Sequence, residues 1–156
     1  TIGDDVSIDN SVILDSSVGS NTSVGPFAYI RPGSTIGEAC KVGDFVEVKN
    51  ASMGNGSKSA HLTYIGDADI GENVNLGCGV VFVNYDGKNK HRSTVGDGCF
   101  IGCNVNLVSP VDVGDGAYIA AGSTVTKDIP KDALSVGRAR QKNIENWATQ
   151  RGLYRK

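Results

Sequence analysis

The stretch Val18-Gly-Ser-Asn-Thr-Ser-Val24-Gly-Pro-Phe-Ala-Tyr-Ile30-Arg-Pro-Gly-Ser-Thr-Ile36-Gly-Glu-Ala-Cys-Lys-Val42 has an aliphatic residue at every sixth position, and that spacing decides the fold. The pattern runs outward in both directions. Ile2, Ile8 and Leu14 precede it, with a shift of phase. Val48 follows, then Met53, Ile65, Ile70, Leu76 and Phe82 after two small slips, then Val95, Ile101, Leu107, Val113, Ile119 and Val125. Glycine often comes next after a lead, and the fourth residue on is small or β-branched, as at Ala28, Ser34, Cys40, Val46, Val74, Val80 and Ser123. A period of six fits neither an amphipathic helix nor an alternating strand. It is the signature of a parallel β-helix, each hexad being one short strand plus a corner. The lead and its fourth follower fill a triangular prism, and glycine turns the corner at low steric cost. Three hexads close a coil, and coils stack at the spacing of paired strands, about 4.8 Å. A single coil cannot bury its own inner face, so such coils are stable only as an array.

Composition agrees. The 156 residues make one domain, with 21 Gly, 4 Pro and few aromatics, as suits a prism filled with Val, Ile and Leu. No apolar run approaches bilayer length, and nothing resembles a signal peptide. The sequence opens at Thr1 already inside the repeat, so we expect a segment of a longer or processed protein whose N-terminal neighbour is missing. Cys40, Cys78, Cys99 and Cys103 show no C-x-x-C spacing, and Cys40 and Cys99 fall at the inward small-residue position. Buried, reduced thiols and a cytoplasmic compartment are the expectation. The net charge of -2 is uneven: from Lys127 onward eight basic residues face three acidic ones, giving +5 there and -7 elsewhere. A basic tail of this kind can form the mouth of a site for an anionic ligand.

Two interruptions organise the repeat. The step from Phe82 to Val95 is more than two hexads, and the polar segment between them is expected to leave the prism as a loop over residues 84–94. Loops that project from rigid solenoids commonly carry binding groups. After Ile129-Pro130 the repeat dissolves. We therefore divide the chain into a β-helix over 1–130 and a basic tail over 131–156. The spacing of Ile144, Trp147 and Ala148 predicts a short helix in the tail that caps the open prism.

Counting three hexads to a coil, those led by residues 30, 48, 65, 82, 101 and 119 are expected on one wall. Arg31 and Lys49 each follow a lead, one coil apart, and two stacked cations that repel each other would be stabilised by a bound anion. On this count Asn84, Cys103 and Ala121 form a column toward the basic tail, a smooth strip along which an extended ligand could lie. His61 falls on another wall, with Cys78 one coil above it. A lone outward histidine is commonly inert, but this one lies in the polar stretch Gly56-Ser-Lys-Ser-Ala-His-Leu-Thr-Tyr64, whose hexad has the polar lead Ser59. The Arg31/Lys49 and His61 columns are one prism edge, about 15 Å, apart by strand rise. If they cooperate, they do so across a groove between neighbouring prisms, most simply in a trimer.

The segments Phe45-Val-Glu-Val-Lys49, His61-Leu-Thr-Tyr-Ile-Gly66, Asn84-Tyr-Asp-Gly-Lys88 and Gly137-Arg-Ala-Arg-Gln141 together resemble the C-terminal half of the bacterial bifunctional N-acetylglucosamine-1-phosphate uridyltransferase/glucosamine-1-phosphate N-acetyltransferases. The resemblance covers essentially the whole chain. It implies a left-handed parallel β-helix, an exception to the right-handed crossover rule, assembled as a homotrimer with active sites between subunits. The uridyltransferase half, with its nucleotide motif and metal site, is not in this sequence, so only acetyl transfer from acetyl-CoA to glucosamine 1-phosphate is expected, with no permanently bound cofactor or metal.

Residue by residue, the resemblance implies His61 as the general base, a task suited to histidine near neutral pH. It implies Arg31, Lys49, Tyr64, Asn75 and Lys90 around the sugar phosphate. Asn84 and Tyr85 would lie near the reacting ends of both substrates. The backbone N–H of Cys78 would donate to the oxyanion, Cys103 and Ala121 would line the pantetheine arm, and Arg138 would meet the phosphates of coenzyme A. Relatives often have Ala at the position of Cys78 and Ser at that of Cys103. The first role is a backbone one, but a thiol at 103 is a poorer donor than a hydroxyl. Direct transfer needs no acyl-enzyme, although Cys78 above His61 leaves a thiol nucleophile as an alternative. Another hexapeptide acyltransferase, acting on a different amine or hydroxyl, is the second reading. A zinc hydratase would need three histidines, and the chain has only His61 and His91. A non-enzymatic β-helix would carry regular outward ladders, and none is present.

Overall fold

The computed structural model describes residues 1–153. The chain winds as a three-walled parallel β-helix. Wall 1 has eight strands (Ser7–Ile8, Ser23–Val24, Lys41–Asp44, Lys58–His61, Asn75–Leu76, Phe100–Ile101, Tyr118–Ile119 and Leu134–Ser135). Wall 2 has seven (Val12–Ile13, Tyr29–Ile30, Glu47–Lys49, Tyr64–Gly66, Val81–Val83, Asn106–Val108 and Thr124–Val125). Wall 3 has six, from Ser17–Val18 to Asp112–Val113. Most strands are two or three residues long because the prism edge is one hexad wide. The leads and fourth followers make one continuous core from Val18 to Ile129, which includes Ala28, Cys40, Val46, Val74 and Val80. Cys40 and Cys99 lie inside it, and burial pushes both thiols up in pKa. Ser59 is fully buried at its lead position, and its hydroxyl has no hydrogen-bond partner among the described residues.

Four expectations are corrected. The third lead is Ile13, which stands opposite Ile30, whereas Leu14 points outward. The first coil is short, so the aliphatic that keeps register comes one residue early. Ile2 and Ile8, 49% and 45% exposed, stand opposite Val18 and Val24 in the first coil. Second, the wall assignment beyond the loop shifts. Phe82 pairs with Leu107, while Ile101 and Ile119 stack above Leu76 on wall 1. The coil containing the loop is therefore longer than its neighbours, a full set of three hexads plus the insertion.

Third, the extruded loop is shorter than 84–94. Asn84 is buried at the wall, and Ser93–Val95 is already a strand with Ser93 fully buried. Last, among the described residues the tail helix does not cap the prism. Leu134–Ser135 adds one more strand to wall 1, and the helix Trp147–Gln150 has no buried residue. So short a helix, without a buried apolar face, gains little from packing. Arg155 and Lys156 of the basic tail lie outside the described residues.

Candidate active site

Two clusters form at the exit corners of two adjacent walls. On wall 2, Lys49, Asn50 and Asn84, one or two places after the leads Val48 and Phe82, gather around a single carboxylate, Asp67. Arg31 and Lys49 follow the paired leads Ile30 and Val48, but they are not a bare stack of like charges. Arg31 Nη1 donates to Glu47 Oε1 at 2.9 Å, and Lys49 Nζ donates to both Asp67 oxygens at 3.0 and 3.1 Å. The expected repulsion is relieved by the chain's own carboxylates. Asn50 Nδ2 reaches Asp67 Oδ1 at 2.7 Å, and Asn84 Nδ2 donates to Oδ2. Asn50, Asp67 and Asn84 each stand two places after a wall-2 lead. They are the true column containing Asn84, in place of one with Cys103 and Ala121.

Burial pushes the Asp67 pKa up, but hydrogen bonds from Asn50, Lys49 and Asn84 outweigh it, so the carboxyl sits below its ordinary range. Burial alone would lower the Lys49 pKa, and the bonds to Asp67 turn the net direction upward. Tyr64 joins the cluster, its hydroxyl 3.4 Å from Asn84 Nδ2. Its ring lies where a β-carbon on Gly66 would stand, so glycine there makes room for it. Lys90 comes in from the loop. Its pKa is lowered first by its contact and charge interaction with Lys49, and further by Arg31.

The loop is held by its own bonds. Tyr85 bridges Lys90 in antiparallel fashion. Asp86 accepts from the backbone N–H groups of Lys88 and Asn89 at 2.8 and 2.6 Å and pairs with His91 Nε2 at 2.7 Å. The Asn89 N–H, His91 and the Lys88 N–H together draw its pKa down to about 2. Arg92 ties the loop base to wall 3 by a fork onto both Asp69 oxygens.

The second cluster lies on wall 1. His61 ends the strand Lys58–His61, and Cys78, Cys103 and Ala121 follow two places after Leu76, Ile101 and Ile119, which stack in register. The corner bonds confirm the column: Gly79 N–H donates to His61 O, Asn104 N–H to Cys78 O and Gly122 N–H to Cys103 O. His61, Cys78, Cys103 and Ala121 thus share one edge, so the strip of small side chains begins at the histidine. At its top the Arg138 side chain passes over Gly122. Asn75 is also on wall 1, between Lys58 and Phe100, and so apart from Tyr64 and Lys90. The strand Tyr64–Gly66 separates His61 from Asp67, a span of about 15 Å. The corner between walls 1 and 2 also carries Phe27, Phe45 and Leu62, each more than half exposed, with the two phenyl rings stacked at 5.5 Å.

Asp67 is a site residue that the sequence reading does not reach. It sits at a corner with φ 49°, a place where Asp and Asn are common for conformational reasons alone. The available signal was its position two after Ile65, matching Asn50 and Asn84.

The family described as bacterial transferase hexapeptide (six repeats) matches residues 15–50 and 92–127. The bifunctional protein GlmU of Clostridium perfringens (strain SM101 / Type A) is 60% identical over 153 residues, which is 98% of this chain and 34% of that protein. Over nearly its whole length the chain is similar to part of the bifunctional GlmU proteins. The GlmU of Acetivibrio thermocellus is 56% identical over 154 residues, 99% of this chain and 33% of its own length. The chain spans about a third of the length of the curated GlmU relatives it matches. Among solved structures, PerB from Caulobacter crescentus in complex with CoA and GDP-perosamine superposes with a TM-score of 0.66 at 21% identity, covering 74% of this chain and 54% of that one. UDP-N-acetylglucosamine acyltransferase from Campylobacter jejuni gives 0.55 at 21%, covering 86% and 66%. These two likenesses establish the fold alone. No helix among the described residues is long and apolar enough to cross a membrane.

Proposed function

We propose that the chain transfers an acetyl group from acetyl-CoA to the amine of glucosamine 1-phosphate, giving N-acetylglucosamine 1-phosphate in the cytoplasm. The observation that carries this reading is the wall-1 column, in which His61 heads a strip of small side chains that ends beneath Arg138. A thioester on a long arm fits such a strip, with its phosphates toward the basic tail. His61 Nε2 takes the proton of the amine as the N–C bond forms. The C–S bond breaks as the tetrahedral intermediate collapses, and the leaving thiolate takes a proton back. The Cys78 N–H serves the oxyanion. The 1-phosphate binds Arg31, Lys49 and Lys90, with Tyr64 and Asn75 on the sugar. Asn84 and Tyr85 stand between the two substrates.

His61 and Asn75 stand on one wall and the cations on the next, so one small sugar phosphate contacts both sets only where two prisms meet. This favours a homotrimer with shared sites, a reading supported by the exposed Phe27–Phe45–Leu62 ridge beside His61, apolar surface that a neighbouring subunit can cover. The test is thiol release from acetyl-CoA with glucosamine 1-phosphate compared with glucosamine. Turnover that depends on the 1-phosphate supports the reading. Equal rates for both acceptors would favour a different hexapeptide acyltransferase.

A further inference from the structure

Among the proposed site residues, His61 alone has a carboxylate on its ring. Its Nδ1 lies 2.5 Å from Asp44 Oδ1. The two residues end the strands Lys41–Asp44 and Lys58–His61, which are four residues long where their neighbours have two or three, and they stand opposite each other in the parallel register. Gly43 permits the approach, since a β-carbon there would collide with the Ala60 carbonyl oxygen. The pair is therefore built into the backbone rather than left to two mobile side chains.

We propose that Asp44 is a positioning residue for His61: its carboxylate accepts the Nδ1 proton, fixes the Nδ1–H tautomer, and leaves Nε2 free as the base. This rests on the reading of His61 given above. A neutral imidazole carries one proton on two nitrogens. Free histidine favours Nε2–H, which here would set the Nδ1 lone pair against a carboxylate oxygen. Asp44 is charged, because its hydrogen bond with His61 above all, and Lys41 more weakly, hold its carboxyl below the usual range. The remaining neighbour of His61 in its column is Cys78. When Nε2 takes the amine proton, the imidazolium forms beside an existing negative charge while Asp44 keeps none of the proton, the role an aspartate plays behind the histidine of serine proteases.

Nitrogen-15 NMR of the ligand-free full chain at pH 8 reads the tautomer directly, with the His61 signals assigned by their absence in His61→Ala. The expected result is Nδ1–H in the wild type and a shift to Nε2–H in Asp44→Ala. In parallel, Asp44→Ala should lower kcat about tenfold or more with both KM values unchanged. Asp44→Glu should recover part of the loss. Asp44→Asn, which can still accept at Nδ1 without charge, should fall between. Nε2–H in the wild type, an unshifted tautomer in Asp44→Ala, or a kcat within twofold of wild type would overturn the proposal. The tautomer switch together with a wild type that transfers no acetyl group would sink the functional reading and leave the positioning of the ring by Asp44 standing.

Discussion

The exit corner of wall 2 and that of wall 1 are built from the same hexad position, yet they are finished differently. On wall 2 the position two after the lead holds Asn50, Asp67 and Asn84, tied together with Lys49 through a carboxylate that is only 8% exposed. On wall 1 it holds Asp44 and Cys78, partly buried, and His61, Cys103 and Ala121, exposed, and apart from the Asp44–His61 bond the column has no side-chain bonds along it among the described residues. The first corner is organised before any ligand arrives, and the second is left smooth. A repeat fold can thus place a fixed polar pocket and a bare channel at equivalent corners by changing one residue per coil.

The comparison breaks most visibly at Asp67. Asp67→Ala strands the half-buried Lys49 and frees Asn84, and it should cost about 3 kcal/mol in chemical denaturation. A loss under about 1 kcal/mol would mean the wall-2 corner is not tied as described. Because the folded Asp67 pKa is depressed, its contribution is complete above about pH 4, its ordinary range, and is lost as pH falls through the folded value. Asp67→Asn should flatten stability against pH in that window.

His61→Ala touches the open corner instead. It should lower kcat about 100-fold or more with little change in sugar affinity or stability. Near-wild-type turnover would return the histidine to the inert class.

Arg31→Ala sharpens the contrast within wall 2. Arg31 is more exposed than Lys49 and its partner Glu47 is equally open, so its removal should spare stability. It should weaken glucosamine 1-phosphate binding by about 1.5 kcal/mol, roughly tenfold in Kd, and leave acetyl-CoA binding unchanged. Equal losses for both ligands would put Arg31 elsewhere.

The smallest effect belongs to the loop. Asp86 holds the Lys88 and Asn89 amides with a pKa drawn down to about 2, so their protection from hydrogen exchange should persist at pH 4 and fade as the pH approaches that value. Protection already lost at pH 4 would mean that the Asp86 carboxylate does not hold these amides.

The prism was legible because burial of one aliphatic per hexad writes a period that no other structure shares. Which wall a hexad lands on was less so. The long step from Phe82 to Val95 accommodates more than one way of leaving and rejoining the prism, and hexads on different walls look alike. The count therefore placed Ile101 above Phe82 when it stacks above Leu76. That error hid the link between His61, Cys103 and Ala121. Leu14 and Ile13 compete for one lead because adjacent aliphatics differ only in which one faces inward. Asp67 and Asp44 were invisible for a different reason. Their importance lies in partners one coil away along the prism, and an acidic residue at a corner reads as turn chemistry until that register is fixed.

The claim that the two corners serve one site across a subunit boundary is tested most directly by mixing two inactive chains. His61→Ala and Lys49→Ala subunits, unfolded together and reassembled into verified heterotrimers, should rebuild some sites with an intact histidine from one subunit and an intact lysine from its neighbour. Recovery of a substantial fraction of wild-type acetyl transfer is the predicted result. Heterotrimers no more active than the separate mutants would contradict it, and would place the histidine and the lysine of each site in the same prism.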